Sequence, residues 1–333
     1  MRIFVIVCLL LNCVITTNAQ LLPTFGNSRT GATGMQFLKV VPDARSSAMG
    51  GAVVGISNDA SAMFWNPSAI TQTDSAKSSY LLAHTYYTAA STLSMAAVTF
   101  KMGTLSRLGV QALSMNYPKM EETTELQPYG TGRTVNLSNT LLGVTYAKIL
   151  TDHFGFGVSS KWAHEAIGDV QTNMVLFDLG LTYDIGIKNA RFGVAFSNFG
   201  MNVNPEGQVQ MVNLSGNQIK TSFGEISAPG MFRIGGAFDP IHTPVNKLTL
   251  AMQLNHPTDN NESLAIGTEY AYRSILYGRA GWELATDEGS SFPSTGLGVQ
   301  LPRKFGAFRV DYSLVNRTRM GNMHRITLIV KLF

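Results

Sequence analysis

From residue 77 to the end of the chain, apolar and polar positions alternate with a period of two. In Val175–Ile185, the residues Val175, Phe177, Leu179, Leu181, Tyr183 and Ile185 alternate with Leu176, Asp178, Gly180, Thr182 and Asp184. In 307–314, Phe308, Val310, Tyr312 and Leu314 alternate with Ala307, Arg309, Asp311 and Ser313. Strict alternation over about ten residues, repeated along a chain, predicts membrane-spanning strands with one face to lipid and one to a lumen. The pattern divides into strands at 77–88, 91–102, 105–116, 137–150, 154–166, 171–185, 190–199, 229–239, 246–256, 263–272, 275–284, 294–302, 305–315 and 324–333. That even number closes an antiparallel barrel with both ends on one side. Every second connection is short, for example Gly103-Thr104, Arg273-Ser274 and Arg303-Lys304, while 117–136 and 200–228 are long. Short periplasmic turns with longer outside loops fit an outer-membrane barrel.

The stretch 42–70, PDARSSAMGGAVVGISNDASAMFWNPSAI, breaks this pattern. Small residues stand at Ala48, Gly50, Gly51, Ala52 and Gly55. A helix-like run follows, with Asn58 or Asp59 as N-cap, and Asn66-Pro67 ends it because proline pushes the preceding residue out of helical backbone. Small residues suit close packing inside something else. A barrel of this many strands is wider than its own inward side chains fill. Residues 20–76 are therefore expected to supply a lumen hatch, with Gly50, Gly51, Asp59, Asn66 and Pro67 as its structural motif. The inward charges Glu269, Arg279, Glu283, Arg309 and Asp311 are expected to bond one another, water or the hatch. Phe37–Val41 reads as a short extended segment.

The N-terminus adds a compartment. Met1-Arg2, the apolar run Ile3–Leu11 and the small-residue end Thr17-Asn18-Ala19 form a secretory signal, residues 1–19. Both cysteines, Cys8 and Cys13, lie within it, so residues 77–333 form the barrel with no disulfide or thiolate metal site. Charged residues are 14%, against about 25% in a typical soluble domain. The net charge of +4 is scattered and gives no basis for nucleic-acid binding.

Enzyme chemistry finds no motif: there is no Gly-x-Ser-x-Gly, no His-Glu-x-x-His and no phosphate-binding loop. The six histidines are dispersed. No catalytic residue, metal site or cofactor is expected. Tyr80, Tyr86, Tyr87, Trp162, Tyr183, Tyr270, Tyr272 and Trp282 read as an aromatic belt at the membrane interfaces.

The run GGAVVGISNDASAMFWNPSAI resembles the hatch motif of FadL-type barrels. PDARSSAMGG and NDASAMFWNPS, with GTEYAYRSILYGRAGW, GLGVQL, FRVDYSL and GNMHRITLIVKL further on, resemble the PorV/PorQ family. That resemblance implies an outer-membrane barrel acting as a scaffold or shuttle in type IX secretion or surface attachment. Two functions stay open. One is binding of secretion proteins or cargo through loops 117–136 and 200–228. The other is transport of a hydrophobic small molecule gated by 42–70.

Overall fold

The computed structural model describes residues 33–333 apart from 74–75, 124–126, 208, 213–217, 286–292 and 318–319. The expected signal at 1–19 and the lead up to residue 32 lie outside the described residues.

Fourteen antiparallel strands form one closed ring. In chain order they are β1 (Ser78–Tyr86), β2 (Thr92–Met102), β3 (Ser106–Asn116), β4 (Leu137–Thr151), β5 (Phe154–Ile167), β6 (Val170–Asp184) and β7 (Arg191–Gly200). The second half comprises β8 (Met231–His242), β9 (Asn246–Pro257), β10 (Ser263–Tyr272), β11 (Leu276–Ala285), β12 (Ser294–Arg303), β13 (Gly306–Arg317) and β14 (Gly321–Leu332). Each strand pairs with its neighbours in sequence, and β1 closes the ring on β14 with Ser78 opposite Leu332. Closure satisfies every strand's backbone groups within the sheet, the condition for a β-structure in hydrocarbon.

The alternation decides which face is which. On β6, Val175, Phe177 and Leu179 are 53%, 54% and 50% exposed, whereas Leu176, Asp178 and Thr182 are 0%, 1% and 3% exposed. The exposed set is apolar, so it faces lipid. The buried set mixes polar and apolar residues and faces inward. Seven of the eight belt aromatics are exposed; Tyr87 is the exception and packs against the interior cluster.

Short turns lie at one end of the ring, at residues 103–105, 152–153, 185–190, 243–245, 273–275 and 304–305. The start of β1 and the end of β14 lie at this end too, which the short-turn rule assigns to the periplasm. The long connections at the other end hold local structure that alternation alone does not reveal. Met120–Glu121 pairs with Thr134–Val135, and Val209–Val212 pairs with Gln218–Thr221. The second loop also folds back: Val203 bridges Ile226, Glu206 bridges Gln171, and Ser227 bridges Thr33.

Phe37–Val41 is not extended as expected. Residues Gln36–Lys39 form a 3-10 turn entered through Met35 at φ 55°. Its apolar residues Phe37 and Leu38 are buried by packing, not by sheet pairing.

Sidedness is directly testable because no cysteine follows residue 19. Thr104 is exposed in the β2–β3 turn, and Gly224 has open space around its Cα. Membrane-impermeant thiol reagent on intact cells should label Gly224→Cys and spare Thr104→Cys. Labelling of Thr104→Cys alone would invert the assignment.

Candidate functional site in the barrel interior

Residues 33–73 run through the ring from the loop end to the turn end. At the loop end, Asp259, in the β9–β10 connection, accepts from Thr33, Lys39 and Gln36, the last at 2.8 Å. Glu165 Oε2 accepts from the Met35 amide at 2.8 Å. Further in, Arg325 and Thr85 donate to the carbonyls of Val41 and Pro42, at 2.9 and 3.1 Å. At the turn end, Arg107 Nη2 donates to the carbonyls of Thr73 and Ala76, each at 2.7 Å.

Between these ends lie two short helices. Helix α1 (Ala44–Ala48) starts because the Asp43 carboxylate caps it, accepting from Ser46 N at 2.9 Å. Helix α2 (Ala62–Trp65) lacks a side-chain cap at Ser61. Asp59 instead holds the preceding turn, accepting from Ser61 N and Oγ at 3.0 and 2.6 Å. Asn66 is extended at φ −155°, and Pro67 then begins a second turn of 3-10 helix, Pro67–Gln72. Pro67 thus both stops one helix and starts the next, its missing N–H costing nothing at a first helical position. The Asn66 amide ties this corner to the wall, donating to Val54 O at 3.0 Å and Leu181 O at 2.9 Å and accepting from Ser68.

The inward charges form one chain. Arg45 forks onto both oxygens of Glu269 at 2.9 Å. Glu269 accepts from Arg279 Nε at 2.6 Å, and Arg279 Nη1 donates to Asp311 at 2.7 Å. Asp311 accepts from Arg309 Nε at 2.8 Å, and Arg309 Nη2 donates to Asp59 at 2.6 Å. Three guanidinium groups alternate with three carboxylates, all buried. The wall supplies the middle four, and Arg45 and Asp59 of the interior segment close the two ends. Four of the five inward charges singled out from the sequence are brought together here. Glu283 is not: near the loop end of β11, it pairs with Arg317 at 3.1 Å and accepts from Ser263.

Arg45 is the member that sequence reasoning missed. Gln253 is another such contact: its Oε1 accepts from the amides of Val53 and Val54 at 3.0 and 2.8 Å. Arg233 lies over the Trp65 ring, 5.0 Å from its centroid.

Backbone contact replaces side-chain contact at several points. Gly50 has φ +64°, and a Cβ there would stand 2.6 Å from Trp282 N. Opposite it, a Cβ on Gly281 would be 2.1 Å from Met49 C and 2.2 Å from Gly50 N. At Gly51 the constraint is the backbone, φ +88°, since a Cβ would meet only a Trp65 ring carbon at 3.5 Å. Small residues on the wall thus do not leave an open channel around the segment; they let its backbone approach. Thr182 shows the consequence, since its buried hydroxyl stands over Gly155. An inward carboxylate at Thr182 would not find the water that an empty lumen would offer.

Burial alone would raise the pKa of Asp59. The Arg309 and Arg45 charges outweigh it and hold this carboxyl well below the ordinary aspartate value. A depressed carboxyl stabilises the fold above its unfolded value and loses that contribution as pH falls through the folded one. Asp43 has the opposite sign: burial, and secondarily the Asp59 charge, raises it despite the Ser46 hydrogen bond. Its contribution is therefore greatest in acid and declines as pH rises through the raised value. Asp43→Asn keeps a capping acceptor and removes the buried charge. It should raise the urea midpoint for protease cutting within 42–70 at about pH 8, with the difference vanishing near about pH 3. A pH-independent difference would contradict the sign.

The described residues hold no cluster of His, Cys, Asp or Glu that could bind a metal ion. The model of the family described as "Type IX secretion system protein PorV" matches residues 24–259. No curated protein sequence matches the chain. Among solved structures, the Ralstonia pickettii toluene transporter TbuX aligns with TM-score 0.60 at 14% identity, covering 87% of this chain and 98% of that one. The Pseudomonas putida toluene transporter TodX gives 0.57 at 13%, covering 86% and 96%. A Pseudomonas aeruginosa FadL homologue gives 0.56 at 10%, covering 87% and 98%. These likenesses establish a FadL-like fold. The family match, together with the closed ring, makes the chain an integral outer-membrane protein.

Proposed function

Because the chain belongs to the PorV family of type IX secretion proteins, we propose that it is a non-enzymatic scaffold or shuttle barrel that binds secretion-system proteins or cargo through loops 117–136 and 200–228. In this reading residues 42–70 are a fixed hatch, with Gly50, Gly51, Asp59, Asn66 and Pro67 as its structural motif. Glu269, Arg279, Arg309 and Asp311 are the polar network that holds it. The supporting observation is the unbroken charge chain from Arg45 to Asp59. A hatch that moved aside would leave the Glu269 and Arg309 ends of the wall chain unmatched in a low-dielectric interior. Losing one partner of a buried pair costs about 3–5 kcal/mol.

A second reading is a hatch-gated transporter of hydrophobic small molecules. It is favoured by the apolar inward face near the loop end, where Leu93, Met95, Leu113, Met115, Leu141 and Met174 are buried in one cluster with Met35, Phe37 and Leu38. Chemical cross-linking in native membranes followed by purification separates the two. The scaffold reading expects protein partners whose recovery falls when 117–136 is replaced by a Gly/Ser linker. Recovery of a bound apolar molecule without protein partners would favour transport.

A further inference from the structure

The two ends of the barrel differ in charge. At the loop end both signs are exposed, Glu121, Asp169, Glu206 and Glu225 together with Lys119, Arg133 and Arg317. At the turn end the exposed charge is basic: Lys101 flanks the β2–β3 turn, Lys148 the β4–β5 turn and Lys188 the β6–β7 turn, with Arg273 at β10–β11 and Arg303 and Lys304 at β12–β13. Among the described residues, none of these six lies within ion-pairing distance of a carboxylate. Only Asp152 and Asp184 are exposed acids at these turns. The same turns carry exposed apolar side chains, with Leu105 at 49%, Ile187 at 72% and Phe305 at 62%.

The distribution identifies the partner. A docked protein covers one arc of a rim, and its basic counter-surface would be clustered. Here the cations occur at five of the six turns, which lie at every second strand junction around the ring. Beside them stand apolar side chains suited to the edge of the hydrocarbon. Only the lipid leaflet surrounds the whole circumference at that height and offers both acyl chains and anions. We propose that the periplasmic rim is a ring of binding sites for the phosphate groups of anionic phospholipids in the inner leaflet. Each cation sits at headgroup level, on strand ends whose next outward residues are apolar. Fixed cations at a membrane surface attract anionic headgroups over about a Debye length.

The test uses the full mature chain reconstituted in phosphatidylcholine vesicles. Spin-labelled phosphatidylglycerol and spin-labelled phosphatidylcholine report the motionally restricted lipid at the protein surface. The expected result is a preference for phosphatidylglycerol of about fivefold, lost when the six cations are all changed to glutamine. The preference should also fall in about 0.5 M salt, where screening is short-ranged. That salt arm needs only the wild-type chain and decides the matter if the glutamine variant does not fold. Equal association of the two lipids with the wild-type chain overturns the proposal. So does a preference that survives salt. Loss of a co-purifying periplasmic protein in the glutamine variant, with lipid preference unchanged, would assign the rim to a protein partner and also overturn it.

Discussion

Leucine at Gly281 will open the barrel. A Cβ at this position overlaps the backbone between Met49 and Gly50, at 2.1 and 2.2 Å. Neither side can yield by rotating a side chain: Gly281 lies in β11, held on both flanks by β10 and β12. Overpacking in a filled interior costs about 1–3 kcal/mol even where side chains can adjust, and here only displacement of the inner segment relieves it. The wild-type protein should conduct little in planar bilayers. Gly281→Leu should give a stable, larger conductance, together with protease cutting inside 42–70. The control is Gly278→Leu, three residues earlier on the same strand, where a side chain meets nothing within 4 Å. It should stay closed. Closed channels in a correctly folded Gly281→Leu barrel would show that 42–70 is not what blocks the lumen.

The second large effect is electrostatic. Glu269 faces two guanidinium groups, Arg45 and Arg279, and accepts three hydrogen bonds from them. Glu269→Gln keeps the shape but removes the charge, leaving the chain with a net buried positive charge. The expected loss is about 3–5 kcal/mol, read as a lower urea midpoint for the heat-modifiable gel shift. Glu283→Gln, whose partner Arg317 is half exposed, should cost no more than about 1 kcal/mol. If the two substitutions cost the same, burial of the chain is not what gives it weight.

These contrasts show what the sequence could reveal. Period-two alternation gave the ring, its face assignments and its strand number, because lipid imposes one chemistry on every outward position. The same rule assigns Glu283 to the inward face but says nothing of height along the strand. Height puts Glu283 near the loop end, beside Arg317, rather than with Arg279. Arg45 and Gln253 were illegible for another reason. Each bonds a partner more than 190 residues away, and no local pattern marks such a pair. Glycines in the wall carry no local signal of their role, yet each of those approached by the inner backbone is one side of a contact. The Phe37–Val41 run reads as extended because four of its five residues are apolar; those four are apolar because they pack into the interior cluster.

The path of residues 33–73 fixes something about how the molecule forms. Several partners of this early segment lie late in the chain: Ala44 donates to Thr327, 283 residues on, and Arg309 reaches Asp59 across 250. The set of contacts that holds residues 33–73 is therefore incomplete until the last two strands exist. The closing seam, β1 on β14, joins the same two regions. Sequence separation this large slows folding, because long loops must close before any contact rewards them. Barrel closure and burial of 33–73 are then one late, cooperative event. A chain stopped before β13 would leave residues 33–73 in an open sheet, with Ala44 lacking Thr327, Asp59 lacking Arg309, and part of their apolar surface uncovered.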